Sequence, residues 1–262
     1  MKGTLVIYRR ELAGLFCSPL AWILLFVSLM LSGALFAQFL SFSMDVTASL
    51  ELTYGGSALF WVLTLILAPL ITMRLLAEEA ANGTLEYLRT APVSDAAVVT
   101  GKFMAGTSFL ALLWSSCFIY AGALHFWGTA PDWGQVLAIY IGTVLVSALF
   151  VAIGLVTSSL TNTPLIAAFL SFMGSLAWLL LPSMAEQLLR QMRTLFADKF
   201  GSWGSAETFI REMKDRMSAG HHFSHSYHRG VLDSAEVIFF LTWIVFFLFL
   251  TTRTLEARRW RG

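Results

Sequence analysis

The chain has 262 residues, of which 57% are apolar and 13% charged, with a formal net charge of +1. A soluble domain carries roughly 25% charged residues, so this composition excludes an ordinary water-soluble fold and requires a lipid solvent. The net charge is uninformative as a total; its distribution along the chain is not.

Residues 1–18 precede the first long apolar run. Leu5, Tyr8, Leu12, Leu15 and Phe16 recur at helical spacing while Lys2, Arg9, Arg10 and Glu11 fall on other faces, the pattern of a helix lying in the membrane surface. Pro19 suits the start of a new helix direction. Apolar runs follow at 20–42, 57–76, 103–127, 135–158, 164–181 and 235–252, each near the roughly 17 to 25 residues a helix needs to cross a hydrocarbon core. The first run is too long for the apolar core of a secretory signal and lacks a cleavage pattern, so it reads as a retained span. Trp22, Trp61, Trp127, Trp133, Trp178 and Trp243 fall mostly near span ends, where an indole suits the headgroup layer. Pro69 predicts a kink in the second span. Cys17 and Cys117 are too few for a disulfide framework.

Basic residues set the orientation. Lys2, Arg9 and Arg10, then Arg74, Arg89 and Lys102, then Arg253, Arg258, Arg259 and Arg261 all fall on one side of a six-span topology, and the short loops 43–56 and 128–134 hold no Lys or Arg. The positive-inside rule therefore places both termini in the cytoplasm. The outer segment 183–234 carries seven basic residues, nearly balanced by acidic ones, and long loops translocate regardless of such charge.

The connection 77–102 is too elaborate for a plain hairpin. The second span runs on through Glu78 and Glu79 to Asn82-Gly83, a helix C-cap pair. Thr84 can N-cap a short helix containing Leu85, Glu86 and Leu88, which Pro92 ends, and Ser94 can cap the next helix with Asp95 in its first turn. Such a segment presents a rigid knob to something in the cytosol. In the outer segment, Leu188, Leu189, Met192, Leu195 and Phe196 form one apolar helical face, and Phe209, Ile210, Met213 and Met217 a second.

No ionisable residue falls in the middle of a predicted span, which argues against ion-coupled carriers and intramembrane proteases. No phosphate-binding loop is present, since Gly101-Lys102 is followed by Phe103 and lacks the upstream glycine. His221, His222, His225 and His228 have spacing that can align imidazoles on one helix face; the competing reading is a solvated polar loop. Ala167, Ser171 and Ser175 put small residues on one face of the fifth span, where another helix can approach closely, as in a dimer seam.

The stretch containing Arg74, Ala77, Glu78, Glu79, Gly83, Thr84, Leu85, Glu86, Leu88, Ala91, Pro92, Val93, Ser94, Val98, Val99, Gly101, Lys102 and Phe103 resembles the signature of ABC type-2 exporter permeases, especially the gliding-motility GldF-like group. Arg10-Glu11-Leu12 through Phe16, Ser18 and Pro19, and the ending from His228-Arg229-Gly230 to Leu255-Glu256 and Arg258-Arg259-Trp260, are similar to the same group. Residues 104–182 match in character more than in letters. The resemblance implies a single all-α permease domain, type V ABC exporter-like, with an N-terminal elbow helix, a coupling helix between spans two and three, outer helices between spans five and six, and a cytoplasmic tail at 253–262. It also implies a bacterial inner-membrane location, a second permease copy or paralogue, and cytosolic ATPase subunits that bind the ATP and magnesium. Membrane lipid and periplasmic or accessory subunits complete the expected partners, with no nucleic acid and no enzymatic activity in this chain. Carried over, Thr84, Leu85, Glu86 and Leu88 would dock on the ATPase with Glu78, Glu79 and Lys102 in support, while Asn82, Gly83, Pro92 and Ser94 shape the turns. The alternative expectation is a non-transporting membrane anchor that passes mechanical work to an envelope or motility complex.

Overall fold

A computed structural model describes residues 2–43, 45–84, 93–126, 128–196, 218–227 and 233–259. The described residues form helices α1 (Lys2–Phe16), α2 (Pro19–Ser43), α3 (Val46–Glu51), a π-helical turn (Leu52–Gly56), α4 (Ala58–Leu75), α5 (Ala77–Ala81), α6 (Asp95–Trp114), α7 (Ser116–Phe126), α8 (Trp133–Leu160), α9 (Pro164–Phe196), α10 (Ala219–Ser226) and α11 (Ser234–Arg259), with no strand among them. Among the described residues, six stretches are long and apolar enough to cross a membrane: Pro19–Phe42, Ala58–Ala81, Asp95–Phe126, Trp133–Leu160, Pro164–Leu188 and Ser234–Arg258. The chain is a multi-pass, all-helical membrane protein.

Helix α8 is the hub, packed against α4, α6, α9 and α11. Small residues allow this. A Cβ on Gly154 would lie 2.3 Å from Thr72 Oγ1 of α4 and 2.8 Å from Ser171 Oγ of α9, so only glycine lets the three helices meet there. The small-residue face Ala167, Ser171 and Ser175 is buried inside the chain, where Ser171 meets this crossing. The close approach that the spacing predicts is thus made within one chain, and a dimer seam cannot use these side chains while they are buried. The start of helix α2 is exposed at Trp22, Ile23 and Phe26, and the Trp22 indole donates to the Phe16 carbonyl at 2.9 Å.

Several boundaries differ from the sequence expectation. The third span begins at Asp95 rather than 103 and breaks at Ser115 between α6 and α7, because Ser94 caps a helix that runs straight into the apolar stretch. Helix α4 continues through Pro69 and is interrupted at Leu76, the expected end of the second span, by a φ of −125° and a ψ of −46°, before α5 extends it. There the amide of Ala77 donates to Ser158 Oγ of α8 at 2.9 Å. Helix α9 does not stop at Leu181 but passes through Pro182 to Phe196; one lost backbone bond does not end a helix whose neighbouring turns are intact. The second expected outer helix, around 207–217, lies outside the described residues.

The two connections at the end away from the termini are packed rather than loose. The loop expected at 43–56 is largely helix: Asp45 caps α3 by accepting from the Thr47 amide at 3.0 Å, and Leu50 and Tyr54 are buried. Gly55, at φ +132°, supplies the turn back into α4, and its carbonyl accepts from the Trp61 indole at 2.8 Å. Helix α10 replaces the solvated loop expected around the histidines. Its Phe223 and the following Tyr227 are fully buried, Phe223 against Phe60 and Trp61, both with ring centroids 5.8 Å away. Tyr227 occupies the space left by Gly142, whose Cβ would fall 2.6 Å from the tyrosine ring.

Candidate coupling site

Amphipathic α1 turns Ile7 and Leu15 into the protein and lies flush on α6. Gly101 makes this possible, since a Cβ there would sit 2.9 Å from Ile7 Cγ2 and 3.0 Å from the Thr4 carbonyl. The Tyr8 hydroxyl also reaches Ser108 Oγ of α6 at 3.3 Å. One turn further along α1, this packing brings Glu11 opposite Lys102.

Lys102 is fully buried, close to the start of the third span. Its ammonium lies 2.9 Å from Glu11 Oε1 of α1 and 2.7 Å from Glu79 Oε2 of α5. Arg10, half exposed, closes the ring with 2.5 Å to Glu11 Oε1 and 2.7 Å to Glu79 Oε1. Two cations and two carboxylates therefore balance. Burial alone would lower the Arg10 pKa, but Glu11 and Glu79 outweigh it and hold the guanidinium more firmly charged than usual. A lysine stripped of water needs such partners: removing one side of a buried pair destabilises by about 3–5 kcal/mol because a charge is left uncompensated. The earlier start of α6 draws Lys102 inside the third span, within its first turns and away from its middle.

A second set of contacts borders the first. Arg74, in the last turn of α4, donates through Nε to Glu78 Oε2 at 3.0 Å and through Nη1 to Ser18, joining the second span to the junction of α1 and α2. Asn82 ends α5 and Gly83 follows at φ +70°, the left-handed C-cap that the sequence predicts. The Thr84 hydroxyl donates back to the Glu79 carbonyl at 3.2 Å, and the helix it was expected to cap lies outside the described residues. Ser94 caps α6, accepting from the Ala97 amide at 3.3 Å. Leu85, Glu86, Leu88 and Pro92 lie outside the described residues.

Sequence reading had paired Glu79 and Lys102 only through resemblance, and it had left Arg10 and Glu11 as the wet face of a surface helix. The one signal available was that Arg10-Glu11 and the stretch 74–103 both belonged to the resembling segments.

Of the four candidate histidines, His222 alone has a described side chain. His222 Nδ1 contacts the Glu236 carboxylate of α11 and its ring stacks on Phe239 with centroids 4.0 Å apart. The side chains of His221 and His225, and all of His228, are outside the described residues. No group of three or more potential metal ligands occurs among the described residues.

Residues 22–260 match the family model described as ABC-2 family transporter protein. The chain belongs to the ABC-2 transporter family. No curated protein matches the sequence. As an ABC-2 protein the chain is a membrane-spanning transporter subunit, not itself a catalyst, and ABC-2 permeases work with ATP-binding subunits and dimerise. In this ABC-2 permease the buried charge ring joins α1 to the end of the second span at Glu79 and to the first turns of the third span at Lys102.

Proposed function

We propose that the chain is the permease of an ATP-driven exporter of the gliding-motility GldF-like type, in the bacterial inner membrane with both termini cytoplasmic. A separate cytosolic ATPase, which binds the ATP and magnesium, docks on the segment 77–102 through Thr84, Leu85, Glu86 and Leu88. A second permease copy or paralogue completes the pathway.

The observation that carries this reading is the ring Arg10–Glu11–Glu79–Lys102. Its members come from the N-terminal helix, the extension of span two and the start of span three. A force on the docking segment is therefore delivered to three elements together instead of bending a loose loop. Glu78 supports the same region by holding Arg74 toward Ser18.

The test is purification of the tagged chain with its ATPase from native membranes. Glu86→Lys and Leu88→Trp should weaken retention of the ATPase and abolish transport-linked hydrolysis. Full retention and full stimulation in both variants would refute the docking assignment. Reconstitution in liposomes separates export from purely mechanical work, because an exporter moves cargo across a sealed bilayer with no other envelope component present.

A further inference from the structure

A cavity of about 150 Å³ opens beside the charge ring, lined by Glu11, Gly14 and Leu15 of α1, Arg74 and Leu75 of α4, and Glu78 of α5. Gly14 leaves its rim open, with nothing within 4 Å of where a Cβ would stand. Leu15 and Arg74 also line a separate, much smaller apolar slot together with Leu20 and Leu24 of α2 and Ile71 of α4. A polar chamber and an apolar crevice thus lie side by side, with Leu15 and Arg74 in the walls of both. The level is that of the membrane surface, since the neighbouring Trp22 is exposed with its indole nitrogen on the Phe16 carbonyl.

The chamber has charges of both signs with bonding capacity left over. Arg74 uses Nε for Glu78 and Nη1 for Ser18, and Nη2 has no partner among the described residues. Among the described residues, Glu78 is engaged only through Oε2, and Glu11 only through Oε1, which takes Arg10 and Lys102. One guanidinium edge and two carboxylate oxygens are therefore available to a ligand.

We propose that this cleft binds one phosphoethanolamine lipid, with its phosphate on Arg74, its ammonium between Glu11 and Glu78, and the start of an acyl chain in the slot. An ammonium brings three N–H donors to two acceptors, whereas a quaternary choline brings none. A phosphoglycerol headgroup brings a negative charge with no cation to offset two carboxylates. The bound lipid wedges the N-terminal helix against the second span next to the charge ring, so lipid composition reaches the coupling site directly.

The proposal is tested on the purified, delipidated permease without any ATPase, so it stands or falls separately from the docking assignment. Native mass spectrometry with added diacyl phosphatidylethanolamine, phosphatidylcholine and phosphatidylglycerol should show the first retained roughly tenfold more strongly than the others. Glu78→Gln should erase most of that preference and Arg74→Gln should weaken retention of all three lipids, while Arg253→Gln, outside the cleft lining, should change neither. Equal retention of the three lipids, or an undiminished preference in Glu78→Gln, would overturn the proposal. So would displacement of the lipid by chainless glycerophosphoethanolamine at equal concentration, because the slot would then contribute nothing.

Discussion

The two ends of the bundle secure their non-spanning segments by opposite chemistry. At the end bearing the termini, α1 and α5 are held by ions around buried Lys102. At the far end, α3, the π-helical turn and α10 are held by rings: Tyr54 against Trp114 at 6.1 Å, Phe60 against Trp114 at 5.1 Å, and Phe223 against Phe60. Ring packing is non-directional and tolerates small displacements. A charge ring has a few discrete arrangements and strongly resists intermediate ones, since a buried charge that loses its partner is costly. The contrast teaches that the end expected to receive force carries the all-or-none lock, and the opposite end carries a deformable cap.

The largest expected effect is at the lock. Lys102→Met keeps the length of the side chain but leaves Glu11 and Glu79 facing each other, and should destabilise the permease by about 3–5 kcal/mol, read as a lowered midpoint in thermal unfolding in detergent. Combining it with Glu79→Gln should recover part of the loss, because Arg10 and Glu11 then balance and no carboxylate is stranded. Next is Phe223→Ala, which empties a fully buried ring site and should cost about 3 kcal/mol while leaving ATPase retention intact. If it released the ATPase, the division of labour between the two ends would fail. Tyr54→Phe removes a 2.7 Å bond to Ser116 and should cost about 1 kcal/mol by the same measurement.

The smallest effect concerns pH. Glu51, in α3, has a raised pKa, first from burial and then from the nearby Asp45 carboxylate. A raised carboxyl pKa means that the folded state holds the proton more tightly than the unfolded state, so stability falls as pH rises from the ordinary carboxylate range through the folded value. Glu51→Gln should therefore be slightly more stable than the wild type at neutral pH, with the advantage vanishing below about pH 4. An advantage that grew in acid would have the wrong sign.

The spans were legible because lipid solvation imposes a length and a composition on every crossing helix. The turn residues were legible for a similarly local reason: Gly83 takes the left-handed backbone and Ser94 caps α6, as their types favour. The charge ring was not, because Glu11 and Lys102 are 91 positions apart and a lysine at a span edge looks the same in sequence whether it is solvated or clamped. Helix α10 was hidden by its composition, since a short His- and Ser-rich stretch gives little sign that Phe223 and Tyr227 anchor it. The small-residue face of α9 was read correctly as a surface of close approach, but spacing alone does not say whether the approaching helix belongs to the same chain.

The most direct test of the account is ATP hydrolysis by the reconstituted permease and ATPase when the lock is removed but the docking residues are untouched. Lys102→Met should retain the ATPase at wild-type stoichiometry yet lose the stimulation of hydrolysis that accompanies transport. Wild-type stimulation in this variant would contradict the claim that force passes through the ring of Arg10, Glu11, Glu79 and Lys102.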